Sequence, residues 1–147
     1  MELIDFIIEA KVKGYADPNV KSTKLEDNST ELIFKKEDYV YRDRYFGGEP
    51  FSGHEVVFLN NEAKWIMNYY GLVYDKEIDI ELVYGFLRKC LSKIEKEAPY
   101  RGPKHFKENE FEYINEINGN INEFKGHESI LYKGKEIYRL NYIGGVL

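Results

Sequence analysis

FSGHEVVFLNNEAKWIMNYYG, residues 51–71, returns as FKGHESILYKGKEIYRLNYIG, residues 124–144. The two stretches align without a gap, Phe51 on Phe124, and a fixed internal period marks one supersecondary unit used twice. Seven positions are identical: Phe51/Phe124, Gly53/Gly126, His54/His127, Glu55/Glu128, Asn68/Asn141, Tyr69/Tyr142 and Gly71/Gly144. Chance gives about one or two. Val57/Ile130, Phe58/Leu131, Trp65/Tyr138 and Met67/Leu140 are swaps that a packed core tolerates. Each stretch reads as a β-hairpin. With Asn61-Glu62 as a two-residue turn, Leu59 pairs with Lys64, Val57 with Ile66, and Glu55 lies opposite Asn68. In the second copy Gly134-Lys135 is the turn and Glu128 lies opposite Asn141. On this register Val56, Phe58, Trp65, Met67 and Tyr69 form the core face of the first hairpin.

Outward from the hairpins, each half carries the same kinds of element. Leu3, Phe6, Ile7 and Ala10 recur at helical spacing and predict a helix over Glu2–Lys13, stopped at Gly14. Tyr15 to Asn28 is polar, contains Asp17-Pro18, and reads as a loop. Glu31–Phe34 and Tyr39–Phe46 read as strands about a turn at Lys36–Asp38. Along the second, Tyr39, Tyr41, Asp43 and Tyr45 share one face, with Arg42 and Arg44 on the other. Asp43 thus stands among aromatic rings, an unfavourable place for an unpaired carboxylate. In the second half Asp79 caps a helix running to about Lys96, with Val83, Phe86, Leu87, Cys90, Leu91 and Ile94 as its apolar stripe. Pro99-Tyr100-Arg101-Gly102-Pro103 is a punctuated loop. Glu110–Ile117 is a strand that matches Tyr39–Tyr45, with Asn115 in the place of Asp43. The expected fold is α+β: a single domain of two repeats, about residues 1–75 and 76–147, related by a pseudo-twofold, with two helices packed on antiparallel sheet.

Composition narrows the functional classes. Thirteen Tyr, nine Phe and one Trp in 147 residues are many aromatic rings, and Tyr suits the wet edge or wall of a cavity. A net charge of −5 argues against direct, sequence-independent nucleic-acid binding. The single cysteine permits no internal disulfide, the acidic N-terminal residues Glu2, Asp5 and Glu9 are unlike a signal peptide, and no apolar run reaches membrane-spanning length. The expectation is a cytoplasmic soluble protein with no membrane partner.

The chain resembles a bacterial and archaeal family of domains of unknown function, found alone or joined to helix-turn-helix regulators of the XRE type. The resemblance rests on Glu9-Ala10-Lys11 with Tyr15-Ala16, on Tyr41-Arg42-Asp43 followed by Tyr45-Phe46-Gly47-Gly48, and on Phe51, Gly53 and Glu55-Val56-Val57. It continues through Trp65 with Met67-Asn68-Tyr69-Tyr70-Gly71, through Pro99–Pro103, and through Tyr142 with Gly144-Gly145. It brings no catalytic residue or substrate. It implies that a regulatory role needs a helix-turn-helix partner, because the chain has no room for that motif. The order αβββ used twice is also like a cyclic shift of the duplicated βαββ units of bacterial effector-binding domains, which are cups for small ligands; that is an analogy of topology alone.

Three groups of residues are candidates for chemistry. Glu55 with Asn68, and Glu128 with Asn141, place two carboxylates beside amides around a central cleft; they suit a polar or cationic ligand, or a general base with an orienting amide. A self-satisfied cross-strand pair is the structural alternative. Asp43 with Arg101 breaks the symmetry, as a site or as a buried ion pair. His54 and Glu55 are adjacent on a strand and point to opposite faces, and no metal-ligand spacing exists, so no metal or cofactor is expected. The first functional reading is a small-molecule-binding or sensor-like domain with an aromatic-lined cleft between the repeats, walled by Tyr41, Tyr45, Trp65 and Tyr69 and made polar by Asp43, Glu55 and Asn68. The second is a small hydrolase or lyase using Glu55 or Asp43 as acid/base, with Arg101 binding an anion. The third is a structural interaction module, such as a homodimer that pairs edge strands.

Overall fold

The computed structural model describes residues 1–15 and 21–147, Tyr15 by its backbone alone. The Asp17-Pro18 part of the expected loop, and Ala16 of the family motif, lie outside the described residues. Nine strands form one antiparallel sheet: β1 Thr23–Lys24, β2 Thr30–Lys36, β3 Tyr39–Gly47, β4 Phe51–Leu59, β5 Glu62–Val73, β6 His105–Glu108, β7 Phe111–Asn120, β8 Glu123–Tyr132 and β9 Lys135–Val146. Their order is β1-β2-β3-β4-β5-β9-β8-β7-β6. Each half is a meander, and the two meet at the β5–β9 seam. There Tyr69 faces its repeat counterpart Tyr142.

This overturns the α+β expectation. The sheet is the body of the fold, and the helices are short: α1 Leu3–Ala10, continued by a π-helical turn Lys11–Tyr15, and α2 Ile80–Leu91. Asp79 caps α2 through a 3.0 Å bond from the Glu81 N–H, as its sequence predicts. Beyond Leu91 the charged run that favours helix leaves it, and the chain turns back over the sheet. Phe6 of α1 stacks on Tyr39 at 4.8 Å, and Phe86 of α2 on Phe111 at 5.0 Å. Both helices therefore shelter the face that carries Tyr41, Trp65, Met67, Tyr113, Tyr138 and Leu140, all wholly buried. Between them Tyr100 of the 99–103 loop stacks on Phe124 at 4.2 Å.

The hairpin register also differs. The turn is Asn60-Asn61, both at positive φ (51° and 67°), and in the second copy Lys133-Gly134 (51° and 79°). Asn and Gly tolerate this conformation, which matches the strand twist. A bulge follows Val57, and its counterpart follows Ile130. Glu55 accordingly pairs with Met67 and Glu128 with Leu140, while His54 pairs with Asn68 and His127 with Asn141. A one-residue slip reverses the faces of a strand. Glu55 and Val57 point into the core, and the asparagines point out to solvent.

Candidate functional site

The inner face holds a buried polar network repeated in both halves. Glu128 is bound by Arg101 through Nε at 3.1 Å and Nη2 at 2.9 Å, by the Tyr113 hydroxyl at 2.5 Å and by the Tyr138 hydroxyl at 2.7 Å. Glu55 is bound by the Lys11 ammonium at 3.0 Å and by the Tyr41 hydroxyl. Lys11 also donates to the Tyr100 carbonyl. Both carboxylates are fully buried and both cations nearly so. Burial lowers the Lys11 pKa, against the pull of Glu55. Burial first, then the Glu55 and Asp43 charges, push the Tyr41 phenol well up, so it stays a donor. Each cation is thus matched to one carboxylate, the arrangement that lets charges survive inside a protein.

The two halves part at one position. Asn115 donates to the Gly102 carbonyl at 3.1 Å and accepts from Tyr142 at 2.8 Å, so both ends of its amide are used. Asp43, its counterpart, accepts from Tyr69 at 2.6 Å, and its Oδ2 is buried with no hydrogen-bond partner among the described residues. Asp43 sits cross-strand from Glu55, and among the described residues Lys11 and Arg101 are paired with the glutamates instead. Burial, then the Glu55 charge, pushes its pKa up to about 7, against the Tyr69 hydrogen bond and the Lys11 and Arg101 charges.

Of the residues expected to form the cleft, Tyr41, Asp43, Tyr45, Glu55, Trp65, Tyr69, Arg101 and Glu128 lie on or over this inner face, Glu55 by the shifted register rather than the expected one. Two pairings are corrected. Arg101 makes its ion pair with Glu128 rather than Asp43. Asn68 and Asn141 do not accompany the glutamates: they are exposed on the opposite face. Lys11, named only as part of the Glu9-Ala10-Lys11 motif, was given no place at the site, although it falls four residues after Ile7, on the buried stripe of the helix.

The outer face carries two open grooves. One, of about 620 Å³, is lined by Arg44, Phe46, Ser52, His54, Asn68, Tyr70, Asn141 and Ile143, among others. The other, of about 480 Å³, is lined by Glu116, Asn118, Lys125, Gly126, His127 and Asn141. The second is the repeat counterpart of the first: His127 stands for His54, Gly126 for Gly53 and Asn141 for Asn68. The His127 Nδ1–H donates to Asn141 Oδ1 at 2.8 Å, leaving the Asn141 amide nitrogen as a donor. Burial, then the Arg42 and Arg44 charges, lower the His54 pKa. Arg44 is already engaged by Glu31 at 2.5 Å.

A single antiparallel sheet with a filled, ion-paired inner face and an open, grooved outer face is the class of domain these features define. The chain belongs to the family described as Domain of unknown function (DUF5680), whose profile matches residues 43–147. That span takes in the whole second half and both grooves' His and Asn residues; α1 and Lys11 precede it. No curated protein and no solved structure matches the chain. Among the described residues no helix is long and apolar enough to cross a membrane.

Proposed function

We propose that the domain binds a small molecule, in a sensor-like role, on the open face of the sheet at the seam between the two halves. The aromatic-lined inner space that suggested a cleft is occupied by its own side chains, whereas the outer grooves are open. The observation that carries the reading is the placement of the seven repeated identities. Phe51/Phe124, Gly53/Gly126, Glu55/Glu128, Tyr69/Tyr142 and Gly71/Gly144 face inward, where packing and ion pairing account for them. His54/His127 and Asn68/Asn141 face outward, away from the packed core; His127 and Asn141 bond each other across the strands, and the His and Asn of each repeat line a groove. A helix-turn-helix regulator as partner is the setting in which such a domain would report its ligand.

The test is a thermal-shift screen of metabolites on the wild type and on His54→Ala and Asn141→Ala. Ligand at a hundred times its dissociation constant adds about 2.7 kcal/mol. Stabilisation lost in both variants, with their unliganded melting unchanged, supports the outer site; hits that survive both variants overturn it. A second reading keeps the site inside, at Asp43, because its unpartnered Oδ2 and raised pKa suit an acid/base or a donor-bearing ligand. Hits abolished by Asp43→Asn and indifferent to His54→Ala would establish that reading instead.

A further inference from the structure

The larger groove has a shape that selects a chemical class of ligand, and this step rests on the outer-face reading above. Phe46, Ser52 and Tyr70 form one cross-strand row, on β3, β4 and β5. Phe46 is 53% exposed and Tyr70 50%. Among the described residues neither ring stacks on another aromatic, while most rings of this chain are packed inside. Ser52 between them is small, and its hydroxyl is turned to the Tyr69 carbonyl at 2.9 Å. The two aromatic side chains therefore stand two strand spacings apart, about 9.6 Å, over a low floor. That separation admits one flat ring between them at stacking distance.

The edge of a ring held there faces the neighbouring row, Arg44, His54 and Asn68. An asparagine amide offers an acceptor beside a donor and reads a ring edge carrying a donor beside an acceptor, the pattern of an aminopurine. Asn68 supplies that pair and His54 adds a ring nitrogen, while Asn141, the β9 neighbour of Tyr70, flanks the outer side of that ring. The groove's charges do not favour an anion. Among its described lining residues the cation is Arg44, held by Glu31, and Asp27 adds a negative charge. The geometry points to an uncharged planar heteroaromatic ligand of aminopurine type, stacked between Phe46 and Tyr70 over Ser52 and read on its edge by Asn68.

Adenosine is the probe, with adenosine monophosphate and ribose as controls, titrated into isotope-labelled protein while the side-chain amide signals of Asn68 and Asn141 are followed. Adenosine is expected to move both amides, ribose neither, and the monophosphate to bind no tighter than adenosine. Phe46→Ala and Tyr70→Ala change exposed residues and each weakens binding about 5- to 150-fold, the range for losing one stacking ring. Phe46→Leu keeps the apolar contact and loses the stack, so it weakens binding nearly as much. Adenosine binding that is indifferent to both rings, or much tighter binding of the monophosphate, overturns the assignment. If adenosine moves neither amide while another class of compound does, the aminopurine class falls and the outer site stands. If no compound moves them, both fall.

Discussion

Replacing Asp43 by asparagine copies into the first half what the second half already has at Asn115. The carboxyl is wholly buried and pairs with no cation among the described residues, and burial with the Glu55 charge raises its pKa from 3.8 to about 7. A group whose folded value lies above its unfolded value holds its proton more tightly in the native state. Its contribution to stability is full below about pH 4, declines as the pH rises to about 7, and is flat above that. A shift of about three units corresponds to roughly 4 kcal/mol between the two limits, an upper figure because local relaxation relieves part of it. Asparagine is neutral at every pH and abolishes this dependence. The assay is urea unfolding of wild type and Asp43→Asn at a series of pH values from 5 to 8.5. Taking the difference between the two proteins cancels the other titrating groups, which they share. The variant should gain on the wild type by a few kcal/mol across the series, most of it between pH 5 and 7. Parallel stability curves would refute the account, since they would mean that Asp43 is ionised throughout and stabilised by something other than the groups described.

Glu128→Gln leaves the Arg101 guanidinium buried without its carboxylate and should cost about 3–5 kcal/mol in urea unfolding; a loss below 1 kcal/mol would mean that the pair is dispensable. Gly126 lies beneath the ring of Tyr142, which crosses it to reach Asn115, so Gly126→Ala collides with that ring and should destabilise by about 1–3 kcal/mol, read from the melting temperature. Asn60 and Asn61 both take positive φ, so Asn61→Gly should be neutral or stabilising while Asn60→Val destabilises; equal effects would argue against this turn. Asn141→Ala, on the exposed face, should leave unliganded stability within about 0.5 kcal/mol of wild type, and a larger loss would give the asparagine a structural role.

Much of the inner face was legible because strand alternation is strict. Tyr41, Asp43 and Tyr45 share the face they were assigned; of Val56, Phe58, Trp65, Met67 and Tyr69, the three β5 residues share the inner face, while Val56 and Phe58 pair with Ile66 and Ala63 on the other. What failed was the join between β4 and β5. Asn60-Asn61 and Asn61-Glu62 are both acceptable turns by composition, and choosing the second moved Glu55 across to Asn68. The bulge after Val57 has no signal in residue type, since the strand apolar pattern runs through it. β1 and β6, of two and four residues, are too short to show periodicity. The second helix was overextended because Lys93–Glu97 is as suited to a helix as to the turn it forms. The outer grooves were missed for the same reason as the register: with Asn68 and Asn141 assigned to the glutamates, His54 and His127 had no partners, and Phe46 and Tyr70 had no row.

The seam between β5 and β9 has a consequence for how the two halves recognise each other. Tyr69 faces Tyr142, its own counterpart, Met67 faces Gly144, the counterpart of Gly71, and Gly71 faces Leu140, the counterpart of Met67. The edge of β5 is therefore largely self-complementary: most residues that β9 presents to it, Tyr138, Leu140, Asn141, Tyr142, Gly144 and Val146, resemble those that β5 itself would present if turned end for end. A fragment ending after β5 would leave a twelve-residue edge open, already in register for a second copy of that fragment and centred on Tyr69. Covalent linkage through α2 makes that pairing intramolecular, at a local concentration that free fragments do not reach, and so keeps the edge from recruiting another chain.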